Sequence, residues 1–240
     1  MGFSSSKADN SLFLRFFATL TIFLFVYVDD IIVVGSQKLG LYSFISVLNK
    51  LFSLKDLGKL NYFLGIEGWS TDKGLHLSQK KFIFDLLKRS KMDQANPLPT
   101  PMGSSLKLTA TDGDPVPNIT EYRSIVGALQ YITITRPEIA YCVNCGNDSD
   151  NIRSTTGYCI FLGDSLVSWS SKKQSVVSRS STEAEYRSLA NATSKIVWLQ
   201  SILSELRVDA KTAHVLWCDN TSTISLSVNP ICIRGPSMLS

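Results

Sequence analysis

The sequence predicts a mixed fold of the α+β or α/β class, in two structured stretches separated by a proline-rich break. Three observations lead there. Short apolar runs rich in β-branched and aromatic residues alternate with segments whose apolar residues recur at helical spacing. Five of the eight prolines crowd together as Pro97, Pro99, Pro101, Pro115 and Pro117, where neither period survives. The chain has 240 residues, 44% hydrophobic and 18% charged. That suits one large domain or two small ones and excludes a disordered tail, a collagen-like repeat and a coiled coil.

The elements follow in order. LTIFLFVYV, then Asp29 and Asp30, then IIVVG reads as strand, tight acidic turn, strand, closed by Gly35 and Ser36. Residues 16–28 carry no charge, but a membrane span needs about 20 such residues, so no membrane partner is expected. Residues 38–51 place Leu41, Phe44, Ile45, Leu48 and Leu51 on one helical face. NYFLGIEGW and GLHLS read as two short strands turning through Thr71, Asp72, Lys73 and Gly74. Residues 79–90 form an amphipathic helix with Phe82 and Leu86 inward and Lys80, Lys81, Lys88 and Arg89 outward. Those cations make either a solvated face or one that contacts phosphates.

After the break at 95–120, residues 121–134 resume a helical pattern that stops before Pro137. TGYCIFLG and SLVSWSS read as strands, and residues 182–206 as a long helix with Tyr186, Leu189, Ala190, Ile196, Val197, Leu199 and Leu203 as its buried stripe. HVLWCDN reads as a strand ending in an acid, and TSTISLSV as a short helix. Trp169, Trp198 and Trp217 are expected in the core.

Composition narrows the chemistry. Two histidines, His76 and His214, rule out a three-histidine metal site. Five cysteines, an odd number spread widely, fit a reduced compartment better than a disulfide scaffold. Cys142 and Cys145 make a C-x-x-C without a second pair at zinc spacing. The net charge of +4 permits a nucleic-acid partner without requiring one. Asn118, Asn147, Asn191 and Asn220 begin glycosylation sequons, which matter only in a secreted chain. Asp29 and Asp30 are the most informative pair. Carboxylates at about 4 Å repel by about 1–4 kcal/mol, a cost that a bound Mg²⁺ relieves. A plain hairpin turn is the alternative reading of the same residues.

The surrounding residues add a resemblance. FVYVDDIIVVG, which contains Tyr27, Asp29 and Asp30, resembles the palm motif of reverse transcriptases, in the variant of copia-type long-terminal-repeat retrotransposons. FSLKDLGKLNYFLGIE, ANPLPTPM, YRSIVGALQYITITRPEIAY and RSTTGYCIFLGDSLVSWSSKKQSVVSRSSTEAEY are similar to successive blocks of the same polyprotein, in the same order. The similarity extends to about Pro230. It implies a partial reverse transcriptase palm with a primer-grip-like hairpin at 1–95, a linker and thumb-like helices at 96–144, and an incomplete ribonuclease H-like domain at 145–240.

The resemblance also assigns roles. Asp29 and Asp30 would hold Mg²⁺ or Mn²⁺ for nucleotide transfer to a DNA primer on an RNA template, with Tyr27 and the cations at Lys80, Lys81, Lys88 and Arg89 against nucleic acid. Glu183 and Asp219 would hold metal for hydrolysis of RNA in an RNA–DNA hybrid, while Glu185 is expected to be solvated. The family's polymerase uses a further palm aspartate, and none of the acids before Tyr27 matches it. Its ribonuclease H uses four carboxylates, of which the first and last are unmatched. The resemblance also implies that a stretch on the order of sixty residues is missing near Asn144 and Cys145. Asp148 and Asp150 fall in the loop beyond, and ICIRGPSMLS departs from the pattern after Pro230. The reading is therefore a fragment of an RNA-directed DNA polymerase with impaired catalysis, or else a non-catalytic nucleic-acid-binding remnant. By analogy it is cytoplasmic or nuclear and not secreted. Uncovered sheet edges predict poor solubility or partial unfolding of the isolated chain. A sharp cooperative melt of both halves, followed by circular dichroism, contradicts that expectation.

Overall fold

A computed structural model describes residues 2–103, 109, 113–144, 152–208 and 213–228. They group into two compact units, one from residues 1–78 and 197–213 and the other from residues 79–196 and 214–240.

The first unit is built on a four-stranded antiparallel sheet whose strands follow chain order: β1 (Ser4–Ser5), β2 (Leu12–Phe16), β3 (Thr21–Tyr27) and β4 (Asp30–Gly35). Helix α1 (Lys38–Phe52) lays its apolar stripe on this sheet. Ile22 from β3 meets Phe44 and Leu48 from α1, and Phe3, Leu20, Leu24, Val33 and Leu54 close around them. Burial of one such aliphatic side chain contributes about 1.5–3 kcal/mol. Ser53 ends α1 in the left-handed region (φ 52°), where its N–H reaches the Asn49 carbonyl. Three short strands follow, β5 (Tyr62–Phe63), β6 (Ile66–Thr71) and β7 (Gly74–Ser78), where the sequence predicts two. Thr71 pairs with Gly74 across a two-residue turn, and Gly74 adopts φ 144°, open to glycine alone without strain. Residues 197–213 complete the unit. The Trp198 indole donates to the Ala8 carbonyl (3.0 Å), Glu205 Oε1 accepts from the Lys7 N–H (2.9 Å), and the Arg207 guanidinium lies 3.8 Å above the Phe16 ring.

The second unit opens with α2 (Lys80–Arg89) against α3 (Ile119–Ile132), followed by a 3₁₀ turn at Pro137–Ile139 and α4 (Ala140–Asn144). Leu86, Ala128 and Ile132 are the buried centre, flanked by Phe82, Ile83, Ile125, Leu129 and Ile139. Gln79, 1% exposed, spends its amide on this junction: it donates to the Tyr131 carbonyl and accepts from the Thr135 hydroxyl. Asn118 caps α3 by accepting the Glu121 N–H at 3.1 Å. Next come the hairpin β8 (Thr155–Leu162) and β9 (Ser165–Lys173), then α5 (Ser181–Glu205), whose residues from Val197 onward belong to the first unit, and α6 (Thr221–Val228). The indole of Trp169 on β9 donates to the Thr133 carbonyl at 2.8 Å. Buried Gln174 donates to Thr156 Oγ1 and to the Ala184 carbonyl, and so ties the hairpin to the first turn of α5.

Several expectations are corrected. HVLWCDN forms no strand, because no described strand offers it a ladder partner and a lone extended segment leaves its backbone unpaired. Trp217, expected in the core, is 92% exposed for the same reason. Ala190 and Val197 are exposed on α5, whose fully buried positions are the small residues Ala184 and Ala192. Up to Asn118 the break holds no helix or strand among its described residues, and α3 begins inside it at Ile119. Cys145, Asn147, Asp148, Asp150, Pro230 and ICIRGPSMLS lie outside the described residues, and so does the far side of the expected junction at Asn144. Among the described residues no helix is long and apolar enough to cross a membrane. Leu86→Ala, which empties the α2–α3 contact, is expected to cost about 2–5 kcal/mol, read as a lower urea midpoint at constant m-value.

Candidate functional site

The first group of acids sits at the tip of the β3–β4 hairpin. Tyr27 pairs with Asp30, so the turn residues are Val28 and Asp29, and Asp30 begins β4. The turn therefore lies one residue earlier than the sequence predicts. Two-residue hairpins favour positive φ because this matches strand twist, and glycine or asparagine normally takes the position. Here Val28 adopts φ 52° and is 82% exposed. A β-branched residue held there stores about 1–3 kcal/mol of strain, a pattern that concentrates at functional sites. Tyr27, Asp29 and Asp30 are exposed beside it. Their oxygens suit a hard cation such as Mg²⁺, whose remaining positions water would fill. Among the described residues no third histidine, cysteine or acid joins them closely enough to complete a cage.

The predicted cations are on α2. Lys80, Lys81, Lys88 and Arg89 are all exposed, while Leu86 faces the core. They belong to the second unit and Tyr27 to the first.

The second group of acids differs from the expected one. Glu183 serves the start of α5. Its N–H donates to Ser180 Oγ (3.1 Å), its Oε2 accepts the Arg179 N–H (2.9 Å), and its Oε1 accepts from Arg187 one turn on (2.8 Å). The Arg179 backbone N–H, followed by the Arg187 side chain, holds the Glu183 carboxyl below the usual carboxylate range. The residue that meets Asp219 is Glu185, expected to be solvated and in fact half-buried. Ligand atoms of Glu185, Cys218 and Asp219 all lie within 4.8 Å of one another, and the Cys218 thiol donates to Glu185 Oε2 at 3.8 Å.

Polar contacts position this group. Asn220 Oδ1 accepts the Thr223 N–H (2.9 Å) at the start of α6, and the hydroxyl of Thr223, fully buried, donates to the Thr182 carbonyl (3.1 Å). Residues 218–219 are thereby held beside the first turn of α5, while Gln174 fixes the Ala184 carbonyl between the two glutamates. A signal for this was present in the sequence. Ser180-x-x-Glu183 is a capping-box pattern, which commits Glu183 to the helix start and leaves Glu185 as the available acid.

Carboxylates displayed on a hairpin tip and beside a helix are the donor sets that divalent-cation sites for phosphoryl chemistry use. Residues 1–104 match the reverse transcriptase (RNA-dependent DNA polymerase) family. The chain is 39% identical, over 96% of its length, to the retrovirus-related Pol polyprotein from transposon RE2 of Arabidopsis thaliana, and 31% identical, over 90%, to that from transposon TNT 1-94 of Nicotiana tabacum. An uncharacterized mitochondrial protein of Arabidopsis thaliana is 36% identical, over 73% of this chain and 93% of its own length. The chain therefore carries a reverse transcriptase domain match in residues 1–104 and is homologous over most of its length to copia-type retrotransposon Pol polyproteins. It spans 19% of the RE2 polyprotein and 21% of that from TNT 1-94. No solved structure matches it.

The lowered Glu183 carboxyl sets a pH dependence. A depressed folded-state value stabilises the fold above the unfolded carboxylate range, and this contribution disappears as pH falls through the folded value. Glu183→Gln is therefore expected to lower the melting temperature at neutral pH, and the gap from the unmodified chain should close in acid. Thermal melts of both proteins across pH 3 to 7 check this; a gap that stays constant contradicts it.

Proposed function

We propose that the chain is a fragment of a retrotransposon RNA-directed DNA polymerase that engages an RNA template, a DNA primer and their hybrid, with its catalysis impaired. The observation that carries this is the exposed Tyr27–Asp30 hairpin tip, strained at Val28, within the stretch that matches reverse transcriptases. In this reading residues 1–95 are palm, 96–144 linker and thumb-like, and 145–240 ribonuclease H-like. Asp29 and Asp30 would hold Mg²⁺ or Mn²⁺, which when bound supplies charge stabilisation at a transferring phosphoryl group. Tyr27 offers a ring at the mouth of the tip, and the α2 cations offer phosphate contacts. In the second half Glu185, with Asp219, takes the role first assigned to Glu183. The impaired reading is supported by the tip itself: among the described residues no third histidine, cysteine or acid lies close enough to join Asp29 and Asp30. The match to the RE2 polyprotein runs over 280 positions, more than this chain contains, as expected of a chain with a segment missing. A cytoplasmic or nuclear location follows from the same reading.

A second reading, nucleic-acid binding without catalysis, is favoured by the exposed basic face of α2. Primer extension by the full chain on a primed RNA template, with Mg²⁺ and then Mn²⁺, tests both. The expected result is no more extension than an Asp29→Asn, Asp30→Asn control shows, together with hybrid binding that weakens steeply with salt. The slope of log affinity against log salt should be about −0.9 per phosphate neutralised. Extension that vanishes in the control overturns the impaired reading, and the absence of salt-sensitive binding overturns the second.

A further inference from the structure

Among the described residues β4 is the outer strand of the first sheet, with β3 on one side only. Tyr27 pairs with Asp30, and just beyond β4 the Ser36 N–H donates to the Thr21 carbonyl at 3.0 Å. Backbone bonding alternates along an antiparallel ladder. Residues 30, 32 and 34 therefore bond β3, while Ile31, Val33 and Gly35 turn their N–H and C=O groups outward. Outer strands are normally blunted by lysine, proline, a bulge or shortness. The opposite edge, β1, has only two residues. β4 uses none of these devices: it runs DIIVVG in unbroken register with β3. Val33 packs toward α1, so Ile32 and Val34 share the other face, where Val34 is 53% exposed.

We propose that the free edge of β4 docks a second copy of this chain, β4 against β4, antiparallel about a two-fold axis through Val33. In that register Val33 faces its own copy, and Ile31 of one copy faces Gly35 of the other. Every outward N–H and C=O of these three residues then finds a partner. Sliding by two residues in either direction leaves Ile31 or Gly35 bare. On the face away from α1, Ile32 of one copy meets Val34 of the other, which covers the exposed valine. Charge selects the same orientation. Asp29 and Asp30 of one copy fall opposite Gln37 and Ser36 of the other, beside Lys38 at the start of α1. That helix has no acid in its first turn and no side-chain bond from its cap Gln37, so its positive end lacks a counter-charge. A parallel pairing instead sets the two acidic ends side by side, where they repel. The contact uses one edge per chain and so closes at two copies. It is independent of whether the chain extends a primer.

Sedimentation equilibrium of the full chain tests the proposal: the mass should rise with concentration from one chain to two and stop there. Val34→Lys puts a charge into the contact and should weaken association about tenfold or more, with the circular dichroism unchanged. Ile31→Pro deletes an outward N–H but no bond to β3, and should weaken it likewise. Leu77→Lys, at a half-exposed position on the outer strand of the second sheet, should leave the dimer intact. Residue-resolved hydrogen exchange adds a readout in the unmodified chain. The amides of Ile31, Val33 and Gly35 should exchange more slowly as concentration rises, while those of Ile32 and Val34, already bonded to β3, should not change. A mass fixed at one chain, growth beyond two, survival of the dimer in both β4 variants, its loss in Leu77→Lys, or concentration-independent exchange at residues 31, 33 and 35 each overturns the proposal.

Discussion

Strand pairing between immediate neighbours in the sequence is the constraint on which the rest of this structure depends. Among the described residues the sheet orders are β1-β2-β3-β4, β5-β6-β7 and β8-β9, with every pair antiparallel and no crossover. A strand forms here only where a turn delivers its partner within a few residues. That rule accounts for the ladder beneath α1, for the position of the acidic tip at its end, and for the failure of residues 214–220 to become a strand. Their apolar alternation is adequate, but the chain before them is a long helix and the chain after them a short one.

The same rule explains which features were legible in the sequence. The β3–β4 hairpin, α1, the turn at residues 71–74, the amphipathic α2 and the long α5 each carry their own period or breaker, so each can be read locally. Features set by contact between distant residues could not be read this way. The period of α5 marks Ala190 and Val197 as apolar but does not say that α5 buries small residues against its neighbours. Trp217 has the size and hydrophobicity of a core residue and lacks only a partner strand. The tip's turn falls at Val28–Asp29 because the ladder pairs Tyr27 with Asp30, a register that the run of β-branched residues leaves open.

The two acidic groups show how local chemistry and long-range placement divide the work. Asp29 and Asp30 lie in one contiguous motif, and the hairpin puts Asp29 in the turn and Asp30 at the first position of β4. Glu183 and Glu185 stand two residues apart on one helix, about 200° around its axis, so only one of them can face Asp219. The choice is made by helix capping: Ser180, Arg179 and Arg187 together engage Glu183, and the opposite face takes Glu185 toward residues 218–219. A capping preference of about 1 kcal/mol thereby decides which carboxylate is available for chemistry.

The failure of residues 214–220 to pair has an optical consequence. Trp217 stands almost fully in water, directly ahead of Cys218 and Asp219 in the chain. An indole in that position emits toward the red and is open to collisional quenching. Any ion, strand or nucleic acid that settles over residues 218–219 must strip water from it, shifting its emission to the blue and shielding it from iodide. The exposed ring is thus an intrinsic fluorescent reporter of whether that surface is covered.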